Sequence, residues 1–292
     1  MQRRLLRLAL AAMAGLWIGL AVAGEPAGSA PALYAQYATL QRELDRNPFG
    51  RPLHLDSRES RDELQGDVHA VLAYPFARVE QALRAGHRWC DILLLHLNVK
   101  ACRAPGDASV LRVYIGRKFD EPPSLAHRID FAYHVLAGAP DYFQVSLTAD
   151  RGPFGTRDYR IVVEAVPLGE RTFLHLSYAY AYGAPARAAM LAYLATVGAR
   201  KVGFTAEGRE PDGTPVLVGG LRGALERNVM RYYLAIDAYL GALSAPPNER
   251  LEDRLREWFE STERYGPQLH ELDEQAYLEM KRRECGTPSG PS

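Results

Sequence analysis

The sequence predicts an α+β fold in which a long C-terminal helix covers one face of an antiparallel β-sheet and is followed by an αα-hairpin. Residues Asp158–Tyr182 alternate in character as two strands do, around a turn at Pro167–Glu170. Residues Leu221–Leu243 carry a long apolar and aromatic stripe at helical spacing. Several β-like segments precede the hairpin and are separated by turn residues, which is typical of an antiparallel meander.

The first 23 residues have the three parts of a secretory signal peptide. Three arginines lie among the first seven residues, an apolar run extends from Leu8 to Leu20, and Ala21–Ala23 are small residues suited to cleavage. We therefore expect residues 1–23 to be removed and the mature protein to be exported to the periplasm. The alternatives are secretion and anchoring by an uncleaved signal, although the apolar run is short for a membrane span.

Composition indicates a globular protein that does not bind nucleic acid. The chain has 292 residues, of which 47% are hydrophobic and 24% charged, so it can bury a sizeable core. Removal of the signal takes away three of the 35 basic residues and none of the 35 acidic ones, which leaves a formal charge of −3. The basic residues are scattered and form no patch suited to a phosphate backbone. We also expect no metal and no cofactor, since Cys/His clusters and Gly-rich phosphate loops are missing from the sequence.

Elements before the hairpin are predicted from apolar residues at helical spacing and from alternation between turn residues. The predicted helices are Ala32–Arg46, Phe76–Gly86 and Trp89–Leu95. The predicted strands are Asp67–Tyr74, Leu97–Arg103, Val110–Lys118, Arg128–Leu136 and Tyr142–Thr148, with a short edge strand at Leu53–Leu55. With the hairpin, about seven strands are expected.

Beyond the hairpin, the chain is predicted to be mainly helical. A helix at Pro185–Ala199 and a Gly/Pro-rich loop or hairpin at Gly203–Gly220 precede the long helix. Pro246-Pro247 ends the long helix, and Asn248 is predicted to cap the next one. A Gly-Pro turn then starts a last amphipathic helix, which completes the αα-hairpin.

One face of the central hairpin is apolar and bears hydroxyl groups. Pairing Val166 with Arg171 places alternate residues of both strands on that face. The hairpin residues predicted to line a ligand pocket are Tyr159, Ile161, Val163, Leu174, Leu176, Tyr178 and Tyr180. Those of the long helix are Val229, Tyr232, Tyr233 and Ile236. Apolar walls with a few oriented polar groups suit an amphipathic molecule. The alternative is that the tyrosines are ordinary core aromatics whose hydroxyls reach water or backbone.

Two segments resemble the START-like superfamily, also called SRPBCC or helix-grip proteins. They are DVHAVLAYPFARVEQAL, which Trp89 follows, and the later LRGALERNVMRYYLAIDAYL. The order of a strand, a Pro-initiated helix, a Trp-containing helix, antiparallel strands and a long C-terminal helix is similar to that of the superfamily. The resemblance implies a curved antiparallel sheet that grips the long helix, with an apolar cavity between them. Most members bind or process hydrophobic molecules such as lipids, sterols or polyketides.

The resemblance covers residues 51–245, which we expect to be the helix-grip domain. Residues 24–50 are then a linker and N-terminal helix, residues 246–285 a C-terminal helical hairpin, and residues 286–292 a tail. The chain departs from a minimal member in the extra helix and loop before the long helix and in the hairpin after it. Either addition can change or fill the cavity.

No catalytic residue is assigned from the sequence. The other face of the central hairpin is mixed polar and is expected to face water. His175 and Glu164 share that face at a diagonal offset, as either a general base or a surface cross-strand pair. Arg227 and Arg231 are like charges four residues apart on the long helix. They are candidates for holding an anionic headgroup, and the alternative is a solvated or salt-bridged face.

Three cysteines are present, and export would place them where disulfides form. Cys90 and Cys102 are close enough in sequence to pair across an intervening turn or strand, which would leave Cys285 free. The alternative is three unpaired thiols.

Three functions remain open from the sequence. The first is an exported protein that binds a hydrophobic or amphipathic, lipid-like small molecule between sheet and long helix. The second is a cyclase- or hydratase-type enzyme acting on such a ligand. The third is a cell-envelope structural module with a filled core, whose C-terminal helical hairpin recruits an envelope protein partner.

Overall fold

The computed structural model describes residues 28–196 and 201–286. The predicted signal peptide, the first residues of the linker, the end of the helix predicted to reach Ala199 and the tail after Gly286 lie outside the described residues. Within the described ranges, every helix is too short or too polar to span a bilayer.

Eight strands form one antiparallel sheet in the order β1-β2-β8-β7-β6-β5-β4-β3. Their bounds are β1 Leu53–Glu59, β2 Glu63–Leu72, β3 Val99–Arg103, β4 Val110–Ile115, β5 His127–Ala139, β6 Tyr142–Arg151, β7 Thr156–Leu168 and β8 Arg171–Tyr182. Strands β3 to β8 follow one another as a meander, and β8 then pairs with β2 at the other end. The α+β class and the antiparallel sheet are confirmed, with β1 a full edge strand.

Eight α-helices, two short 3-10 helices and a two-stranded hairpin complete the described parts of the chain. The helices are α1 Ala30–Asp45, α2 Phe76–Leu83, α3 Gly86–Leu93, α4 Ala184–Thr196, α5 Gly220–Ala242, α6 Arg250–Glu263, α7 Gly266–Leu269 and α8 Glu274–Gly286. The small hairpin pairs β9 Ala206–Arg209 with β10 Pro215–Leu217.

Two predicted helix ends differ from the structure. Gly86 begins α3 and does not close α2. A Cβ on Gly86 would lie 2.5 Å from the carbonyl oxygen of Ala108 in the β3–β4 loop, so this close approach accounts for the glycine. Asn248 does not cap α6, which begins after Glu249 without a side-chain capping bond.

The turn of the central hairpin is tighter than predicted. Leu168 pairs with Arg171 around Gly169, whose φ of 64° favours glycine, so the predicted pairing of Val166 with Arg171 is wrong by two residues. Pro167 fits inside β7 because the β6 ladder ends before it, so its missing N–H breaks no strand bond. A shift of two residues keeps every side chain on its predicted face.

Helix α1 covers part of the sheet face that the sequence assigned to water. Leu33 and Leu44 pack there on Tyr142, Val166 and Phe173 in a second apolar cluster. The solvent-facing prediction is therefore wrong for this region, because the segment that covers it lies far away in the sequence.

Beneath α1 lies a buried polar cluster centred on His175. His175 pairs directly with Glu164 and not diagonally, with 2.8 Å between Nδ1 and Oε1. Its Nε2 lies 2.9 Å from Oδ1 of Asp67, and the ring of His69 stacks on it at 4.2 Å between centroids. The two residues do form a cross-strand pair, but not a solvated one, since Glu164 is buried and the side chain of His175 is only 13% exposed.

The C-terminal helical hairpin packs its apolar side into the domain. Trp258 on α6 stacks on Tyr277 of α8 and donates from Nε1 to the carbonyl oxygen of Arg231 in α5 at 3.1 Å. Lys281 of α8 is buried and donates to two backbone carbonyls beside β3. Helices α6 and α8 are therefore part of the same packed core as the sheet and α5.

A disulfide joins Cys90 in α3 to Cys102 in β3, and Cys285 is free. We expect the double variant Cys90→Ser/Cys102→Ser to lose about 3 kcal/mol of unfolding free energy, because the bridge restricts the unfolded chain. Urea denaturation measures the loss, with Cys285→Ser as the control of small effect. Equal stability of the double variant and the wild type would contradict the bridge.

Candidate ligand-binding cavity

Helix α5 lies against one face of the sheet, off its centre. It packs mainly on β2 and β1. Gly66 on β2 allows the close approach, since a Cβ there would lie 3.2 Å from Leu225 of α5. Tyr178 on β8 faces the helix as predicted, and its ring centroid lies 5.6 Å from that of Tyr232 on α5. Space therefore remains between α5 and the other half of the sheet.

That space is a cavity of about 670 Å3. The strands β4, β5, β7 and β8 form one wall, and α3, α4 and α5 close the other side. Its lining is Leu93, His96, Asn98, Val113, Ile115, Gly116, Arg117, Glu121, Leu125, His127, Ile129, Phe131, Pro153, Phe154, Thr156, Tyr159, Ile161, Tyr178, Tyr180, Met190, Asn228 and Tyr232. Leu125 and Phe154 are 70% and 74% exposed, so they mark the opening to solvent.

Four tyrosines form an aromatic cluster in the cavity wall. Tyr159 stacks on Tyr180 with 5.3 Å between ring centroids, and its hydroxyl donates to Oγ1 of Thr156 at 2.8 Å. The hydroxyls of Tyr178, Tyr180 and Tyr232 have no hydrogen-bond partner among the described residues. Burial raises the pKa of all three, so each phenol stays protonated and can donate to a ligand.

A β-bulge sets the direction of Tyr159. The pairing of β7 with β8 shifts between Arg157 and Arg160, and Asp158 there has a φ of 55°. Asp and Asn tolerate this left-handed backbone better than most residues. An extra residue of this kind bends the strand, and bulges often re-aim side chains beside binding sites.

Five of the eleven predicted ligand-facing residues line the cavity, and six do not. Those in the lining are Tyr159, Ile161, Tyr178, Tyr180 and Tyr232. Those packed in the solid core are Val163, Leu174, Leu176, Val229, Tyr233 and Ile236. The six residues lie outside the cavity lining because α5 is offset towards β2, so the side chains between α5 and that half of the sheet pack against one another and leave no space.

Neither predicted headgroup arginine lines the cavity. Arg227 donates to the carbonyl oxygen of Val202 at 3.1 Å. Arg231 is 1% exposed and bonds both the carbonyl oxygen of Leu269 and the carboxylate of Glu271, each within 3.1 Å. Burial lowers the pKa of Arg231 to about 10 despite Glu271. Arg227 therefore links α5 to the segment before it, and Arg231 links α5 to the segment around the end of α7.

The sequence interpretation missed the polar residues at one end of the cavity. His96 and Asn98 follow α3, and Asn228 lies one helical turn before Tyr232. Only Asn228 carried a usable signal, because residues four apart share a helix face. In the described residues, no group of three or more His, Cys, Asp or Glu side chains is placed to hold a metal ion.

Comparisons with known proteins find similarity in structure only. No protein-family model and no curated protein matches the chain. Ara h 8.0201 is 9% identical, with a TM-score of 0.35 over 66% of this chain and 99% of its own. A START superfamily protein from Mycobacterium smegmatis is 15% identical, with a TM-score of 0.32 over 46% and 92%. Truncated norcoclaurine synthase from Thalictrum flavum is 13% identical, with a TM-score of 0.33 over 49% and 92%.

The topology of the chain itself decides the fold. An antiparallel sheet packs on one face of the long helix α5. Two short helices, α2 and α3, lie between β2 and β3 in the chain. The chain has a helix-grip fold. Relative to the minimal arrangement, this helix-grip chain adds α1 on the outer face of the sheet, α4 with the β9–β10 hairpin, and the pair α6 and α8.

Proposed function

We propose that this helix-grip protein is exported and binds a hydrophobic or amphipathic small molecule in the cavity between sheet and α5. The observation that supports the proposal is the cavity of about 670 Å3, which suits a drug- or lipid-sized molecule. Its wall is mainly aliphatic and aromatic, with unpartnered tyrosine hydroxyls to orient a polar group. The cavity opens between Leu125 and Phe154, where an apolar molecule would enter.

Catalysis by His175 and Glu164 on such a ligand has no support from their position. Both lie on the opposite side of the sheet, beneath α1, and neither lines the cavity. An envelope protein partner at the C-terminal helical hairpin stays a prediction. The outer surface there carries Arg256, Glu274 and Arg282, whose charges are paired within the helical hairpin.

The proposal is tested by filling the cavity. Ile129 and Ile161 line it from β5 and β7, and the double variant Ile129→Trp/Ile161→Trp replaces empty volume with indole rings. We expect the wild type to bind a fluorescent fatty acid saturably at one molecule per chain. The filled variant should bind it at least about tenfold more weakly, a loss of 1.4 kcal/mol or more.

The matched control places the same substitutions outside the cavity. Val135 and Leu136 on β5 are exposed and do not line it, so Val135→Trp/Leu136→Trp should bind as the wild type does. Undiminished binding by the filled variant would place the ligand elsewhere and refute the proposal.

A further inference from the structure

One end of the cavity contains a buried histidine with an unused hydrogen-bond donor. His96 is 2% exposed, and its ring stacks on Tyr232 with 4.7 Å between centroids. Nδ1 accepts a hydrogen bond from the backbone N–H of Asn98 at 3.1 Å. Neutral imidazole has one donor and one acceptor, so Nε2 carries the proton. In residues 28–196 and 201–286, Nε2 has no partner, and neighbouring atoms enclose it, so a ligand oxygen bonds it only after a side chain such as the stacked Tyr232 moves aside.

The surroundings of His96 are positive. Burial lowers its pKa well below the usual range, and the cations Arg231, Lys281 and Lys118 lower it further. The imidazole is therefore neutral, because a proton added there would be both buried and repelled.

Cations outnumber carboxylates near this end of the cavity. Lys100 and Lys281 share the carboxylate of Glu284. In the same way, Lys118 and Arg231 share Glu271. Four cations thus meet two carboxylates, and a further negative charge would be stabilised in this poorly solvated region.

Two other polar groups bear on what this end can bind. Glu121 is the carboxylate of the cavity wall, and it is engaged by the backbone N–H of Arg117 at 2.7 Å. Asn98 donates to the carbonyl oxygen of Gly116, which leaves its Oδ1 as an acceptor without a partner among the described residues. An unpaired buried polar atom costs about 1–3 kcal/mol, which a suitable ligand group relieves.

We propose that this end of the cavity binds the carboxylate of an amphipathic acid, with His96 Nε2 and the Tyr232 hydroxyl as donors to its oxygens. The apolar part of the acid then lies along Ile129 and Ile161 towards the opening. The inference rests on the proposed function and adds the chemical class of the ligand. The competing ligand is one with a hydroxyl head group, because a hydroxyl can donate to the unpaired Oδ1 of Asn98 and a carboxylate cannot.

The experiment compares ligands that differ only in the head. Dodecanoate, methyl dodecanoate, dodecanol and dodecylamine are titrated into the purified protein, each below its solubility limit and, for the two charged compounds, below the micelle-forming concentration. We expect dodecanoate to bind at least tenfold more tightly than each of the others. Equal affinities would overturn the carboxylate assignment and leave the proposed function intact. A preference for dodecanol would also overturn it, whereas failure of all four to bind would count against the proposed function itself.

Two variants tie the preference to the named donors. His96→Phe keeps a ring on Tyr232 and removes the donor, and Tyr232→Phe removes only the hydroxyl. Each should narrow the preference of dodecanoate over its methyl ester to less than about threefold while the ester itself still binds. His134→Phe, at an exposed position on β5, is the control and should keep the full preference. If His96→Phe does not fold, Tyr232→Phe decides, and an unchanged preference there would contradict the assignment.

Discussion

Replacing His175 with leucine should lower the free energy of unfolding by about 3–5 kcal/mol, because two buried carboxylates then lose the cation between them. Glu164 and Asp67 are both less than 10% exposed and lie on opposite nitrogens of the ring. Burial opposes protonation of His175, yet its hydrogen bonds to Asp67 and Glu164 outweigh burial and raise its pKa to about 9. His134→Leu, at an exposed site on β5, is the control and should change stability by less than about 0.5 kcal/mol.

The stabilisation by His175 is expected to fall as the pH rises. The pKa of His175 rises from 6.5 in the unfolded chain to about 9 in the fold, so its stabilisation is full below pH 6.5. It is lost as the pH rises through 9, by about 3 kcal/mol. Urea unfolding of the wild type and His175→Leu should therefore give a stability difference that shrinks between pH 6.5 and 9. A constant difference over that range would contradict a charged His175 in the fold.

His69 acts in the opposite direction in the same cluster. Burial, with the charge of His175, lowers the pKa of His69 to about 3. Its contribution is therefore present above pH 6.5 and is lost as the pH falls from there towards 3. The cluster is thus expected to be most favourable near neutral pH.

Replacing Trp258 with alanine should cost about 3–5 kcal/mol, since it opens a cavity among α5, α6 and α8. The indole is 1% exposed, stacks on Tyr277 and bonds the carbonyl oxygen of Arg231. Chemical denaturation should show one transition at lower denaturant, because the helical hairpin and the sheet share a core. Phe154→Ala is the control, at a site 74% exposed, and should be nearly neutral.

A separate early transition in the wild type would contradict a shared core. Lys281 and Glu284 on α8 also join the helical hairpin to the sheet, since both are buried beside Lys100 of β3 and Glu284 pairs with both lysines. The sequence boundary at residue 246 therefore marks a change of secondary structure within one packed unit.

The faces of the central hairpin could be predicted, because alternation has a period of two. The predicted turn is two residues too long, which shifts the strand register by two and leaves Tyr178 and Leu176 pointing towards α5. The apolar face of α5 could also be predicted, since its apolar residues repeat at helical spacing.

The border between solid core and cavity could not be predicted from the sequence. Tyr232 and Tyr233 are adjacent and alike, but only Tyr232 lines the cavity, because α5 sits nearer β2 and β1. Glu271 as the partner of Arg231 and Asp67 as the second partner of His175 could not be predicted either, since both lie far from their partners in the chain. Such contacts are made by the packing of distant segments, which local pattern does not encode.

The central claim is that the space beside α5 holds a small molecule. The most direct measurement is solvent extraction and mass spectrometry of the protein purified from its own cells, with Ile129→Trp/Ile161→Trp purified in parallel. We expect an amphipathic compound in the wild-type extract, near one molecule per chain, and its depletion from the filled variant. The same compound at equal amounts in both extracts, or none in either, would contradict the claim.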